Sequence, residues 1–373
     1  MIRKKLAIIG ASYLQKPLVL KAREMNIYTI CFAWEDGAVC KDICDEFYPI
    51  SITEKEEILK VCAALKIDGV LSIASDVAVP TVNYIANKLT LIGNSLESSN
   101  LSTNKYLMRK AFKKCNIHIP KFIKINKGFD LNEISKLRYP IIIKPVDRSG
   151  SKGITVLKEI DGIKKAIDYA LKESFVEQAI IEEFIDGQEI SVEGISHNGR
   201  HNIITYTDKI TTGFPHFVEL EHHQPSKYLN SELKEKINQI VLNGLDCLDI
   251  KNGASHSELI ITEYNDIYLT EIGARMGGDF IGSDLVELST GYDYLTGVIK
   301  ISLGEIEEVK RGLNLHSGVY FYSNQTKKVK KFINQCDNVI VQSDLKRITK
   351  NFLKQSSDRA GYFIYQSDKK III

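Results

Sequence analysis

The 373-residue sequence contains no apolar run approaching the roughly 20 residues that a membrane-spanning helix needs, so no membrane partner is expected. It has no excess of one charge. The 49 basic and 47 acidic residues leave a formal charge of +2, which gives no footprint for nucleic acid or an anionic surface. The Lys327–Lys331 run is locally basic and reads as a solvated face. Cysteines are seven, scattered, and only Cys40 and Cys44 lie close together. An odd count without paired spacing predicts reduced thiols and a cytoplasmic protein, and no zinc-type cluster is present. The pattern G-x-x-x-x-G-K-[ST] is absent. Gly10-Ala-Ser12 stops short of G-x-G-x-x-G, which weighs against tight NAD binding. There is no internal repeat and no low-complexity segment.

What remains is the composition of a soluble globular protein, 44% hydrophobic and 26% charged, long enough for two or three domains. The start, MIRKKLAIIGASY, fits a first β-strand better than a signal peptide, because charged and polar residues follow its short apolar run. Residues 1–98 alternate strands (Leu6–Gly10, Ile27–Phe32, Gly69–Ala74, Thr90–Gly93) with helices (Lys16–Met25, Glu54–Leu65, Val77–Lys88). That order predicts an α/β, parallel, Rossmann-like sheet. A helix is expected at Asn104–Cys115, then α+β patterns through Leu303. Within them, the Asn198-Gly199 hairpin joins Gln188–Asn198 to Arg200–Lys209. From about Lys310 the sequence reads as a small separate α+β unit. The expected divisions are 1–98, 99–305 with a lid lobe at about 118–187, and 306–373.

The segment Thr262–Asp279, TEYNDIYLTEIGARMGGD, carries the most chemistry. With the preceding SHSELIIT it reads as a hairpin turning at Asn265–Asp266. Pairing about that turn sets Glu258 opposite Gly273 and makes Glu271 a diagonal neighbour of Glu258, about 7–8 Å away. Two carboxylates, then Arg275 and a glycine turn, suit Mg²⁺ and a polyphosphate. The loop DRSGSKG offers the main-chain N–H groups of Ser149, Gly150, Ser151 and Gly153 to an anion, with Lys144 just before it. A plain hairpin turn explains that loop equally well. In IIEEFIDGQE, main-chain groups around Glu182, Glu183 and Ile185 could pair with a base edge, and Glu189 could accept from ribose hydroxyls. A solvated edge strand is the plainer alternative.

Taken in order, TNKYLMRK, IIIKP, SGSKG, IIEEFIDGQE, SELII and EIGARMGGD resemble the ATP-grasp superfamily of carboxylate–amine ligases over roughly residues 1–305. The resemblance is to amino-acid ligases and purine-pathway-type enzymes. It implies two α+β lobes clasping ATP, with Mg²⁺ or Mn²⁺. It implies Lys105 and Lys144 on phosphates, residues 149–153 as a lid, and Glu182, Glu183 and Ile185 at adenine with Glu189 on ribose. Glu258 and Glu271 would hold metal, and Arg275 would face the transferred phosphate. Many members carry Asn, a further metal ligand, where this sequence has Gly273.

The implied reaction activates a carboxylate as an acyl phosphate, releases ADP, and passes the acyl group to an amine. Bicarbonate or a ribonucleotide amine is the alternative substrate. A non-catalytic ATP-binding or sensing protein is the alternative from another class. The expected partners are small-molecule carboxylates and amines, and similar ligases suggest a homodimer. His216 and His223 are candidates for the acceptor pocket, where a histidine could deprotonate an ammonium, with ordinary polar loop histidines the plainer alternative. Gly277, Gly278 and Asp279 could hold an anion at a helix N-terminus, with Asp279 as a simple N-cap the alternative.

Overall fold

The computed structural model describes residues 3–150, 152–306, 308–335 and 339–373. The first sheet contains β1 (Lys5–Ile9), β2 (Tyr28–Phe32), β3 (Glu46–Tyr48) and β4 (Gly69–Leu71), all parallel in the order β3-β2-β1-β4. Buried runs such as Leu6–Ile9 and Thr29–Phe32 are what a sheet covered on both faces requires. Thr90–Gly93 is not one of its strands. Thr90 takes a left-handed φ of 56°, and Leu91 N–H donates to Ala86 O at 2.8 Å, so the segment is spent closing the helix Val79–Lys88. The fourth strand is Glu46–Tyr48, too short to leave a periodic signal.

The second sheet is β5 (Phe122–Ile125), β6 (Ile141–Pro145), β7 (Thr155–Leu157) and β8 (Ala179–Glu183), antiparallel in the order β5-β8-β6-β7. The helix Ile163–Glu173 sets Ile163, Ala166, Ile167 and Ala170 against Ile141, Ile143 and Ile181. Those helical positions recur at the spacing of one apolar stripe.

The third sheet takes the remaining strands: β9 (Gln188–His197), β10 (Arg200–Thr211), β11 (Glu219–Gln224), β12 (Gly253–Ile261), β13 (Ile267–Gly273), β14 (His316–Phe321), β15 (Ile340–Leu345) and β16 (Gly361–Ser367). Its order is β13-β12-β9-β10-β11-β14-β16-β15. The C-terminal strands therefore continue this sheet and do not form one of their own. β11 sits between them and β10, over residues for which no strand was expected. Helices Lys105–Lys114 and Ser231–Cys247 cover one face, packing Phe112, Ile237, Val241 and Leu245 on Val192, Leu259, Leu269 and Ile272. The helix Tyr294–Ser302 joins the first sheet to the third, with Val298, Ile299 and Ile301 in one core with Leu6, Ile8 and Val19.

Two sequence expectations are corrected here. The β12–β13 loop is Thr262–Asp266, and the register sets His256 opposite Gly273 and Glu258 directly opposite Glu271. A bulge after Glu258 and the longer loop account for the slip. Cys115 and Cys247 form a disulfide across 132 residues, so not all the thiols are free. Packing of two helices far apart in sequence brings these cysteines together, which spacing alone cannot show. Cys31, Cys40, Cys44 and Cys62 are free. Among the described residues, no helix is long and apolar enough to cross a membrane.

Candidate active site

All three sheets border one open cleft of about 1750 Å³, mouth included. β12 and β13 bring the two hairpin carboxylates to its floor. Lys105, first residue of its helix, donates from Nζ to Glu271 Oε1 at 2.9 Å and to the Arg148 carbonyl at 3.0 Å. Burial opposes its charge, but Glu271 and Asp76 hold it protonated above the ordinary lysine range. Lys209 on β10 lies between Glu189 and Glu258, at 2.5 Å and 2.6 Å. Despite burial, those carboxylates raise Lys209 well above its usual value. Burial also works against ionised Glu258, yet Lys209 and His256 hold it well below the usual carboxylate range.

His256 shares the Glu258 face of β12 because side chains alternate with period two. Its Nδ1 lies 2.5 Å from Glu193 Oε1 and its Nε2 lies 3.2 Å from Glu258 Oε1. Burial favours neutral imidazole, but Glu193 outweighs it and lifts the pKa to about 9. Glu193 Oε2 accepts from Gly277 N–H at 3.2 Å, tying this chain of groups to the glycine turn. The i, i+2 spacing of His256 and Glu258 was a usable signal for this pair. Glu193 and Lys209 left none.

At the other wall, Lys144 Nζ lies 2.7 Å from Glu182 Oε2 as an ion pair. Arg109, fully buried, sets Nη2 at 3.3 Å from the same oxygen, with Nε 2.5 Å from Oε1 at ion-pair distance but without hydrogen-bond alignment. Burial disfavours the Glu182 anion, but Arg109 and Lys144 lower its pKa to about 2. For Lys144 burial wins, and its pKa falls below the ordinary value. The Glu182 carboxylate is thus consumed inside the protein. Glu183 lies at the cleft wall, with its carboxylate bound by Arg138 at 2.9 Å. β8 is paired along both edges, while Ile185 lies past its end and lines the cleft. Ser149 and Gly150 line it too. Ser151 lies outside the described residues. Gly153, at φ +73°, packs instead on Pro145, where a Cβ would come within 2.6 Å of Cγ.

At the far end Arg359, between β15 and β16, grips Asp279 with two bonds of 2.9 Å and 2.8 Å and stacks over Phe321. Asp279 is no N-cap: Phe280 holds that position and no side-chain cap bond is made. Gly278 and Asp279 line the cleft, while Gly277 lies behind it on Glu193. Of the histidines, His222 lines the cleft and His223 does not. Adjacent residues of a strand face opposite ways, and His223 bonds Tyr365 and Glu221, both at 2.9 Å. His216 sits half-buried on the β10–β11 loop, apart from the lining. His222 is buried, its Nδ1 has no hydrogen-bond partner, and burial depresses its pKa well below the usual value. Glu219 lies beside it, its carboxyl pushed up by burial.

This is an ATP-grasp fold, and residues 137–284 match the family model described as the ATP-grasp domain. The matched stretch lies within a mixed α/β architecture. Alanine–anticapsin ligase of Bacillus subtilis is 25% identical over 246 residues, covering 60% of this chain and 51% of the relative. Formate-dependent phosphoribosylglycinamide formyltransferase of Prochlorococcus marinus (strain NATL1A) is 27% identical over 187 residues, covering 49% and 48%. The chain thus spans about half the length of the curated relatives it matches. Among solved structures, L-amino acid ligase from Bacillus licheniformis superimposes with a TM-score of 0.79 at 20% identity, covering 99% of this chain and 95% of that one. Phosphoribosylglycinamide synthetase from Anaerococcus prevotii gives 0.77 at 22%, also covering 99% and 95%. At such identities the superpositions establish the shared fold.

Proposed function

We propose that the chain is an ATP-dependent carboxylate–amine ligase that releases ADP. The observation that carries this reading is Glu258 facing Glu271 across one hairpin, with Lys105, Lys144 and Arg275 around the same cleft. The two carboxylates offer Mg²⁺ an all-oxygen donor set, and Mn²⁺ suits the same donors. Among the described residues, no group of three His, Cys, Asp or Glu side chains forms a metal cluster. Mg²⁺ ordinarily keeps water and substrate phosphate as its other ligands. When bound, it neutralises charge on the transferred phosphoryl group.

The remaining work falls to protein groups. Lys105 and Lys144 bind phosphate oxygens, Glu189 accepts from ribose hydroxyls, and the main chain at Ile185 meets adenine. Ser149 and Gly150, which line the cleft, cover the phosphates and help exclude water, which would hydrolyse an acyl phosphate. Arg275 stabilises charge on the phosphoryl group as it passes to the substrate carboxylate. The amine then attacks the acyl carbon, expelling phosphate and forming the amide. At the far end, Glu219 and Asp279 line the cleft, with Arg359 behind them on Asp279, and these carboxyl groups suit the ammonium of an amino acid. His222, kept neutral by burial, is in the form that can take a proton from an ammonium. Amino-acid ligases among the relatives support this substrate class. A cytoplasmic setting, with its ATP supply, accords with it.

The test is ADP release with Mg²⁺, crossing amino acids, sugar acids and bicarbonate against amines, with mass spectrometry of the products. ADP formed only when a carboxylate and an amine are both present supports the reading. AMP with pyrophosphate, or full activity in Glu271→Gln, rejects it.

A further inference from the structure

Asp76 opens a short 3-10 turn after β4, on the first sheet and far in sequence from the hairpin. Its carboxylate receives Arg275 as a fork. Nε donates to Oδ1 at 2.9 Å and Nη2 donates to Oδ2 at 3.0 Å. Both side chains are largely buried, 16% and 13% exposed, so little water competes for the pair. A guanidinium carries five N–H donors. Two go to Asp76 and one, from Nη1, goes to the Met276 carbonyl at 3.4 Å, leaving two free to meet a ligand. The surrounding main chain is joined as well. Ala74 N–H donates to Met276 O at 3.2 Å, and Gln15 holds the Ile73 carbonyl at 2.8 Å.

Gly273 belongs to the same arrangement. A Cβ there would lie 3.1 Å from Asp76 Oδ1 and 3.1 Å from Arg275 Cζ. The ion pair therefore fills the space beside the carboxylate floor that a larger residue at 273 would enter. Lys105 and His256 face Asp76 across the cleft and help keep it ionised.

We propose that Asp76 is a positioning residue for phosphoryl transfer, fixing the Arg275 guanidinium beside Glu258 and Glu271 from the first sheet. The inference rests on the ligase reading through the part that Arg275 plays in it. A fork fixes the plane of the guanidinium as well as its place, and small misplacements of a transition-state donor are costly. A residue that only docked the sheets would act on stability and on all ligands alike. A positioning residue acts on the transferring phosphoryl group.

Mg·ADP with and without fluoroaluminate, a mimic of that group, separates the two without needing the natural substrates. Wild-type protein should hold Mg·ADP more tightly when fluoroaluminate is present. Asp76→Asn should lose about tenfold or more of that tightening, since a misplaced donor forfeits transition-state charge stabilisation. Its affinity for Mg·ADP alone should stay within about twofold, because only the phosphoryl mimic needs Arg275. Asp76→Glu should recover part of the loss, and Asp76→Asn should add nothing in an Arg275→Met background. Unchanged tightening in Asp76→Asn overturns the proposal. So does a parallel fall in Mg·ADP affinity and melting temperature, or full additivity with Arg275→Met. Wild-type protein that fails to hold Mg·ADP overturns the ligase reading and takes this inference with it.

Discussion

Lys105 Nζ lies 2.9 Å from Glu271 Oε1, so a lysine expected on phosphate rests on a carboxylate expected on metal. Lys209 stands on Glu258 in the same way. The carboxylates on the floor of the cleft are each paired with an ammonium group. On the proposed reading the same carboxylates would serve a cation in either form, lysine or divalent ion, which makes the exchange measurable.

Lys209→Met should lower stability in metal-free solution. It removes one partner of a buried arrangement and leaves Glu189 and Glu258 facing each other, a change of about 3–5 kcal/mol for a broken buried pair. A divalent ion relieves the repulsion by binding the folded state. Adding Mg²⁺ or Mn²⁺ should therefore raise the melting temperature of Lys209→Met by more than that of wild type. An equal rise in both, read by thermal shift against metal concentration, would count against the carboxylates as the metal donors.

Arg109 and Lys144 hold Glu182 ionised, with its pKa at about 2 against an ordinary 4.5. A carboxylate depressed in the folded state stabilises fully above its unfolded pKa and loses that contribution as pH falls through the folded one. The loss should run from about pH 4.5 down to about pH 2. Arg109→Met should cost about 3–5 kcal/mol at neutral pH, because it strands part of a buried charge. Its deficit against wild type should narrow over the acid window. Urea unfolding at several pH values measures this, and a deficit independent of pH would show that Arg109 acts through packing alone.

The order of motifs made the fold legible, because strands such as β6, β8, β12 and β13 and the glycine turns beside them left local patterns, whereas β3 and β11 left none. Glu258 and Glu271 were legible as carboxylates sharing one face of a hairpin, but their direct pairing was not, since the bulge after Glu258 and the loop Thr262–Asp266 depend on tertiary fit. The partners of these groups were the least visible. Asp76 reaches Arg275, Lys209 reaches Glu258 and Arg109 reaches Glu182 only after separate sheets assemble. A single strand does record which neighbour faces the cleft, so the choice of His223 over His222 turned on the phase of β11, a strand that had not been recognised.

His222 and His223 should separate cleanly under mutation. His222→Asn keeps a polar group in the cleft but removes the proton acceptor. Turnover at saturating substrates should fall by about 10²–10⁴, the usual contribution of a positioned base, with little change in ATP affinity. His223→Asn leaves Tyr365 Oη and Glu221 short of a partner on the far face. It should lower the melting temperature and leave turnover near wild type. The reverse pattern would remove His222 from the acceptor site.

His256 supplies the pH dependence in the opposite sense from Glu182. Its folded pKa of about 9 lies above the ordinary 6.5, held up by Glu193 against the opposing effect of burial. A group raised in the folded state stabilises fully below its unfolded pKa, and that contribution disappears as pH rises through the folded one. The shift corresponds to about 3 kcal/mol of preference for the charged form. His256→Asn should therefore be least stable relative to wild type below about pH 6.5, and the gap should close toward pH 9. Denaturant titrations of metal-free protein at pH 6, 7.5 and 9 would measure the gap. If it widened with pH, the imidazole would have to be neutral in the folded protein, and Glu193 would be acting only as a hydrogen-bond acceptor.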